Sequence, residues 1–306
     1  MRSIIAALLL AFTSCATPQL EQLRTAHVSL PERGEARSVP FIAQEQFYCG
    51  PAALAMALNW SGLNVTQEAV ATEVYTPGRL GTLVSDVVTS ARRHGRMAVQ
   101  LNELHQVLAE LAVGHPVIVF QNLAFSWYPQ WHFAVAVGYD LTANTIILHS
   151  GLNERHKTRL STFERTWRRG GYWALVVLPP DVLPAYSDEL EILRSAAGIE
   201  RTGRLLEAEI AYITILSRWP ESLGGWIGLA NARYGMGDLL GTENALRYAV
   251  INNPAAPVAW NNLAYVLAER GQRSDAEAAA REAIRLAGTD ATRYEATLRE
   301  ILDKSN

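Results

Sequence analysis

Gly203, Gly237 and Gly271 stand 34 residues apart, and Trp226 and Trp260 keep the same interval, as do Pro220 and Pro254. Leu229 and Leu263, Ala230 and Ala264, and Ala249 and Ala283 follow it too. A fixed period of this length marks a supersecondary unit that cannot bury its apolar face alone and stacks on copies of itself. The stretch reads as helical and repetitive, with small residues where helices pack closely and with glycine and proline where helices end. Residues 189–306 are therefore expected to be all-helical, with three helix–turn–helix units and a terminal capping helix, "ATRYEATLREILDK".

This pattern resembles the tetratricopeptide repeat. The first unit is degenerate, with Ile192 at the Trp position and Ser195 where the others have Leu. Thr242 replaces Ala in the second unit and Gly288 replaces Pro in the third. The resemblance implies a concave groove that captures a protein partner or substrate.

Residues 39–180 have a different texture. Helical patterns come first: the run after Cys49, "TQEAVATEVY", "TLVSDVVTSARRHG" closed by Gly95, and "NELHQVLAELAVG" closed by Gly114. Strand-like runs follow, rich in β-branched and aromatic residues: "PVIVFQNL", "HFAVAVGYD", "NTIILHS" and "YWALVVLP". Between the last two, Ser161 and Glu164 fit a capping box and predict a short helix. Helices before strands, without βαβ alternation, predict an α+β domain of helices packed on an antiparallel sheet. "DVLPAYSD", residues 181–188, reads as the linker to the repeats.

With 306 residues, 49% of them hydrophobic, the chain can bury more than one core. A formal charge of −3 does not suggest a nucleic-acid binder. The start, "MRSIIAALLLAFTSCAT", has the order of an export signal: a basic residue, a short apolar stretch, then small residues. Residues 1–14 are expected to be that signal. "AFTSC" resembles the lipobox of bacterial lipoproteins, with Phe12 where Leu is commoner. The resemblance implies a lipid on Cys15 and attachment to the bacterial cell envelope. Ala16 favours the outer membrane, on its periplasmic face, if the cell has one. Residues 15–38, polar with scattered Pro and Gly, read as a flexible tether.

Only two cysteines exist, so a lipid on Cys15 leaves Cys49 without a partner in the chain. In "QEQFYCGPAALAMALNW", Pro51 suits a first helical turn, which puts Cys49 or Gly50 at the helix start. The following run is apolar nearly all round, as in a buried helix. A thiol at such an N-terminus faces the positive end of the dipole, which favours thiolate. Unpaired N–H groups of the same turn suit an oxyanion. A base is still required, and His132 has the best setting. In "HFAVAVGYD", alternation puts His132, Ala134 and Ala136 on one face, leaving room for another element to press close. The bulky Phe133, Val135 and Val137 pack elsewhere. A strand imidazole against a helix-borne thiol is the arrangement of a thiolate–imidazolium pair.

Together, "VPFIAQEQFYCGPAALAMALNW" and the later "WHFAVAVGYD" resemble the papain-like peptidase domain of bacteriocin and double-glycine leader peptidases. They are closer still to standalone lipoprotein relatives with tetratricopeptide repeats. The resemblance implies Cys49 as nucleophile and His132 as general base, with a preceding glutamine donating to the oxyanion hole. Gln44 and Gln46 compete for that role; Gln44, one residue short of the usual spacing, is the one expected, since Gln46 is closer than a fold-back allows and reads as a solvated loop residue. These peptidases usually orient the histidine with an Asp at the end of the next strand, where this chain has Ser150. A serine accepts the ring N–H but offers no charge to imidazolium. His149 and Ser150 alternate, so at most one addresses His132. Asn153 is the substitute third member, and Asp140 reads as the turn after the strand.

The function expected is a membrane-anchored, exported cysteine peptidase without metal or cofactor, acting on a protein or peptide. The alternatives are an inactive peptidase fold used as a scaffold, and acyl transfer to an amine on the same thiol–imidazole machinery. His94, His105, His115 and His156 have no spacing suited to zinc.

Overall fold

The computed structural model describes residues 17–25, 29–44, 47–79, 81–186 and 188–303. The expected signal peptide, Cys15 and Gln46 lie outside the described residues. The chain divides into two compact units, with the change-over between Pro180 and Ile192.

In the first unit, helix α1 (Pro18–Thr25) and strand β1 (Arg33–Glu35) precede α2 (Cys49–Trp60) and α3 (Gln67–Val74). A small hairpin of β2 (Tyr75–Thr76) and β3 (Gly81–Thr82) leads to α4 (Val84–Arg93), β4 (Met97–Leu101) and α5 (Leu104–Ala112). Then come β5 (Val117–Asn122), β6 (Trp131–Asp140), β7 (Thr145–Ser150), β8 (Asn153–Arg159), α6 (Leu160–Arg169) and β9 (Ala174–Leu178). The strands form an antiparallel sheet in the order β4-β9-β5-β6-β7-β8, with β1 paired to the end of β6. This is the expected helix-on-antiparallel-sheet architecture, with both faces of the central strands covered. Ile118, Phe133, Val135, Val137, Leu175 and Val177 pack on one face with α2, α3 and α4. Val119, Ala134, Ala136 and Val176, on the other face, are also wholly buried, where α5 packs against β6 and α6 against β5. Burial on both sides explains why β5, β6 and β9 read as apolar runs.

Residues 18–25 and 33–35 depart from the expected tether. Pro18 starts α1, a position where its missing N–H costs nothing. The buried Glu164 carboxylate accepts the Gln19 and Leu20 N–H groups, each at 2.9 Å. A carboxylate at a helix N-terminus satisfies orphan donors and the dipole together. Leu20 is buried beneath it. This also overturns the capping box: α6 starts at Leu160 without a side-chain cap, and Glu164 also accepts from the Tyr172 hydroxyl at 3.1 Å.

The second unit is all-helical, as expected. Its helices pair as α7 (Glu189–Arg201) with α8 (Leu205–Arg218), α9 (Leu223–Gly235) with α10 (Leu239–Asn252), and α11 (Pro257–Glu269) with α12 (Arg273–Ala287). Helix α13 (Thr292–Asp303) packs last. Gly203, Gly237 and Gly271 adopt φ of 80°, 80° and 77°, the left-handed turn that closes the first helix of each pair. The Trp–Pro interval has a direct cause. Trp226 Nε1 donates to the Pro220 carbonyl at 2.8 Å, and Trp260 Nε1 to that of Pro254 at 2.9 Å. Gly228 lies so close to the Tyr212 ring that a Cβ there would sit 2.2 Å from it. Thr242 tolerates its buried position because Oγ1 donates to the Asp238 carbonyl at 2.7 Å.

Candidate active site

Helix α2 begins at Cys49 as expected, and residues 50–58 are all buried. The chain enters it through Phe47, whose φ of 70° is unusual for a bulky residue. Gly50 is required by close approach: a Cβ there would lie 2.5 Å from Thr82 on β3. The Thr82 hydroxyl beside it is buried and has no hydrogen-bond partner.

Alternation along β6 follows the expected pattern, but α2 covers the opposite face from the one expected. It packs on Phe133, Val135 and Val137, not on the His132 and alanine face. The thiol instead approaches the strand's backbone, and the Phe133 N–H, next to His132, acts on it together with the Gly50 and Cys49 N–H groups. This contact is available because β6 pairs with β7 only from Val135 onward, which leaves the backbone of Phe133 open on that side.

Gln44 uses the same opening. Its backbone N–H donates to the Gly151 carbonyl at 3.1 Å. Its Oε1 accepts the Gly151 N–H at 3.0 Å, and its Nε2 reaches the Phe133 carbonyl at a long 3.4 Å. The buried Gln44 amide therefore ties the residue after His132 to the residue after Ser150.

His132 Nε2 lies 2.9 Å from Ser150 Oγ. Of the third-member candidates, Ser150 is the one brought to the imidazole. His149 points the other way; it is buried, accepts the Arg155 N–H on Nδ1 at 3.1 Å, and meets Phe41 at a ring separation of 5.4 Å. Asn153 is exposed, in register with Ser150 at the start of β8. Asp140 ends β6 at its far end, where its carboxylate accepts from Ala143 N and Arg33 Nε, each at 2.8 Å.

The electrostatics differ from the expected ion pair. Burial pushes the Cys49 thiol up from 9.0, against the opposing pull of the Phe133, Gly50 and Cys49 N–H groups. Burial pushes His132 down from 6.5 to about 4. Both shifts favour the uncharged forms, so at neutral pH the site rests as thiol and neutral imidazole. The helix N-terminus does favour thiolate, but desolvation outweighs it here.

Sequence reasoning did not find Thr82 or the Phe133 N–H. Neither carries a motif; the docking of α2 on β6 and on β3 brings Phe133 N–H to Cys49 and Thr82 to Gly50.

Residues 36–175 match the model of the Peptidase C39-like family. No curated protein matches the sequence significantly. Among solved structures, one assigned as a C39-like peptidase from Bacillus anthracis aligns at 19% identity and a TM-score of 0.42, over 48% of this chain and 98% of its own. A double-glycine-motif protease from an AMS/PCAT transporter, solved with its leader peptide, aligns at 24% identity and a TM-score of 0.39, over 49% of this chain and 98% of its own. For the repeats, the chaperone SycD of Yersinia enterocolitica, in complex with a YopD peptide, aligns at 20% identity and a TM-score of 0.36. That alignment spans 40% of this chain and 98% of SycD.

Proposed function

We propose that this chain, whose residues 36–175 match the model of the Peptidase C39-like family, is a cysteine peptidase that hydrolyses peptide bonds through Cys49 and His132. The observation that carries the reading is that the Cys49 thiol at the α2 N-terminus meets the Phe133 N–H, one residue along β6 from the His132–Ser150 pair. With Nε2–H donating to Ser150 Oγ, Nδ1 of His132 is bare and accepts the Cys49 proton as sulfur attacks the scissile carbonyl. The oxyanion forms beside the Cys49 N–H and the second Nε2 proton of Gln44. His132 then protonates the leaving amine, and water attacks the thioester with the imidazole again as base, returning free thiol and a carboxylic acid. Proton transfer of this kind contributes ~10²–10⁴ in rate.

A second reading, a catalytically silent binding fold, is favoured by the uncharged resting pair and by Ser150 in place of a carboxylate. A thiol-reactive activity probe separates the two. Hydrolysis requires labelling of the wild type that Cys49→Ala abolishes; an unlabelled wild type, or equal labelling of both, supports the silent fold.

The repeats serve as the partner-binding part. Within that unit a groove of about 270 Å³ is lined by Asn231, Tyr234, Asn261, Asn262 and Tyr265, side chains that pair with the amides of an extended peptide. The side-chain Oδ1 of Asn261 is buried and lacks a partner. Lipid on Cys15 holds the chain at the envelope membrane. Metabolic labelling with a fatty acid, lost in Cys15→Ser, tests the attachment.

A further inference from the structure

The end of the sheet that carries His132 and Ser150 also carries exposed apolar side chains. The connection between β5 and β6, residues 123–130, contains no charged residue. At its tip Phe125, Trp127 and Tyr128 are 64%, 81% and 71% exposed. Their rings form one cluster, Phe125 stacked on Trp127 at 5.5 Å and Trp127 6.2 Å from Tyr128. In the neighbouring β7–β8 turn Leu152 is 76% exposed. Two adjacent hairpin tips thus present apolar groups at the same end.

Hydrogen bonds that do not involve those rings hold the loop. Asn122, itself buried, accepts the Ala124 and Gln130 N–H groups on Oδ1 at 3.1 and 2.9 Å and donates to the Phe125 carbonyl at 3.2 Å. Leu123 N–H donates to the Gln130 carbonyl at 2.9 Å. At the loop's base the Arg169 guanidinium donates twice to the Asn122 carbonyl, at 3.2 and 3.0 Å, beside the exposed Arg168 at the end of α6.

The topology places the chain's N-terminal segment at this same end. Strands β4 and β5 both pair antiparallel to β9, so they run parallel and their C-termini share one end of the sheet with the β5–β6 loop. Gln19 is fixed there: its Nε2 donates to the Asn102 carbonyl at 3.0 Å, and its Oε1 accepts the Leu104 N–H at 2.6 Å. Cys15 is three peptide units before Pro18, a reach of at most about 11 Å. Three strand spacings separate β4 from β6, about 14 Å.

We propose that the Phe125–Trp127–Tyr128 tip, with Leu152 beside it, inserts into the interface of an anionic bilayer and holds the Cys49–His132 end of the sheet at the membrane surface. This rests on the reading of Cys15 as the lipid attachment point, which supplies the first contact; the hairpin supplies the second and sets the orientation. The ring chemistry fits: Trp and Tyr have an apolar body and a polar tip and concentrate at the bilayer–water boundary. An uncharged tip over an arginine base matches an apolar layer beneath anionic headgroups. A peptide ligand would need a concave wall, but a side chain 81% exposed projects away from the protein.

The experiment uses the full chain in two parts. Fatty-acid labelling of wild type against Cys15→Ser tests the lipid reading alone. Flotation of Cys15→Ser with phosphatidylglycerol–phosphatidylcholine vesicles tests the hairpin alone, with the triple change Phe125→Ser, Trp127→Ser, Tyr128→Ser as comparison. Flotation of Cys15→Ser, reduced at least about tenfold by the triple change, is expected; pure phosphatidylcholine vesicles should bind more weakly. Absence of flotation, or flotation unaffected by the triple change, overturns the proposal. So does a triple variant that floats normally but has lost turnover of a soluble peptide, since the tip would then be a peptide site. Unchanged Cys49 probe labelling in the triple variant confirms that the fold survives.

Discussion

At the scale of single residues, the site turns on what Ser150 lacks. A hydroxyl 2.9 Å from His132 Nε2 fixes the ring but contributes no charge to offset the burial that holds the imidazole at about 4. Ser150→Asp should raise that pKa by about 1–3 units, since an adjacent opposite charge favours the protonated ring. NMR titration of His132 measures the shift, and an unmoved midpoint would contradict the assigned geometry. The same change should speed probe labelling of Cys49 at neutral pH by about tenfold or more, by supporting imidazolium. In the wild type, with its thiol pushed above 9.0, labelling by iodoacetamide should climb steadily from pH 7 to 9. A plateau at pH 5–7 would instead reveal a standing thiolate–imidazolium pair. Burial of His132 also has a consequence for stability. The folded pKa is below the unfolded one, so the unfolded chain binds the extra proton first as pH falls. Stability is intact above pH 6.5 and declines until about pH 4, by about 3 kcal/mol. Denaturant titrations of wild type and His132→Gln across that window should show the variant losing less.

At the scale of elements, α1 depends on one carboxylate. Glu164 is buried and accepts two backbone N–H groups of α1 and the Tyr172 hydroxyl. Replacing it by Ala leaves those donors unsatisfied, at about 1–3 kcal/mol each where water cannot reach them. Glu164→Ala should therefore release α1, detected as early proteolysis or rapid amide exchange at residues 18–25, with Cys49 labelling retained. Protection equal to wild type would show that Leu20 and the Gln19 side-chain bonds suffice. The same glutamate shows why a local motif misled. Ser161 and Glu164 have capping-box spacing, yet Glu164 points inward to a helix some 140 positions earlier in the chain, and spacing carries no information on that partner. Strand β8 was invisible for a related reason. "NERHKTR" is polar throughout, its residues are largely exposed, and only backbone pairing with β7 makes it a strand. Charged edge strands of this kind protect a sheet from further pairing. By contrast β5, β6, β7 and β9 were legible because burial leaves a side-chain signature, and α2 because Gly50-Pro51 punctuates its start.

At the scale of the whole chain, legibility followed the range of the interactions. The 34-residue interval was readable because each repeat's determinants are local: Trp226 and Trp260 bond to prolines six residues earlier. Ser150 as the partner of His132 was implied by the family resemblance, while strand alternation said only that His149 and Ser150 do not both address the ring. The protonation of Cys49 and His132 was not readable, because it depends on how α2 and the sheet jointly exclude water, which no single segment encodes. The same locality makes a prediction about stability. In a repeat array each unit chiefly contacts its neighbours, so damage to one unit spreads along the array. Trp260→Ala removes the Nε1–Pro254 bond and the ring of a partly buried indole. A loss of about 2 kcal/mol follows, less than the 3–5 of a fully buried aromatic. The contacts divide the chain into two units, so this loss should fall on the repeats alone. Thermal unfolding followed by far-UV circular dichroism should show the helical transition shifted down, while the temperature at which Cys49 becomes freely alkylated stays where it was. If both move together, the two units unfold as one cooperative body and the repeats contribute directly to the stability of the Cys49 domain.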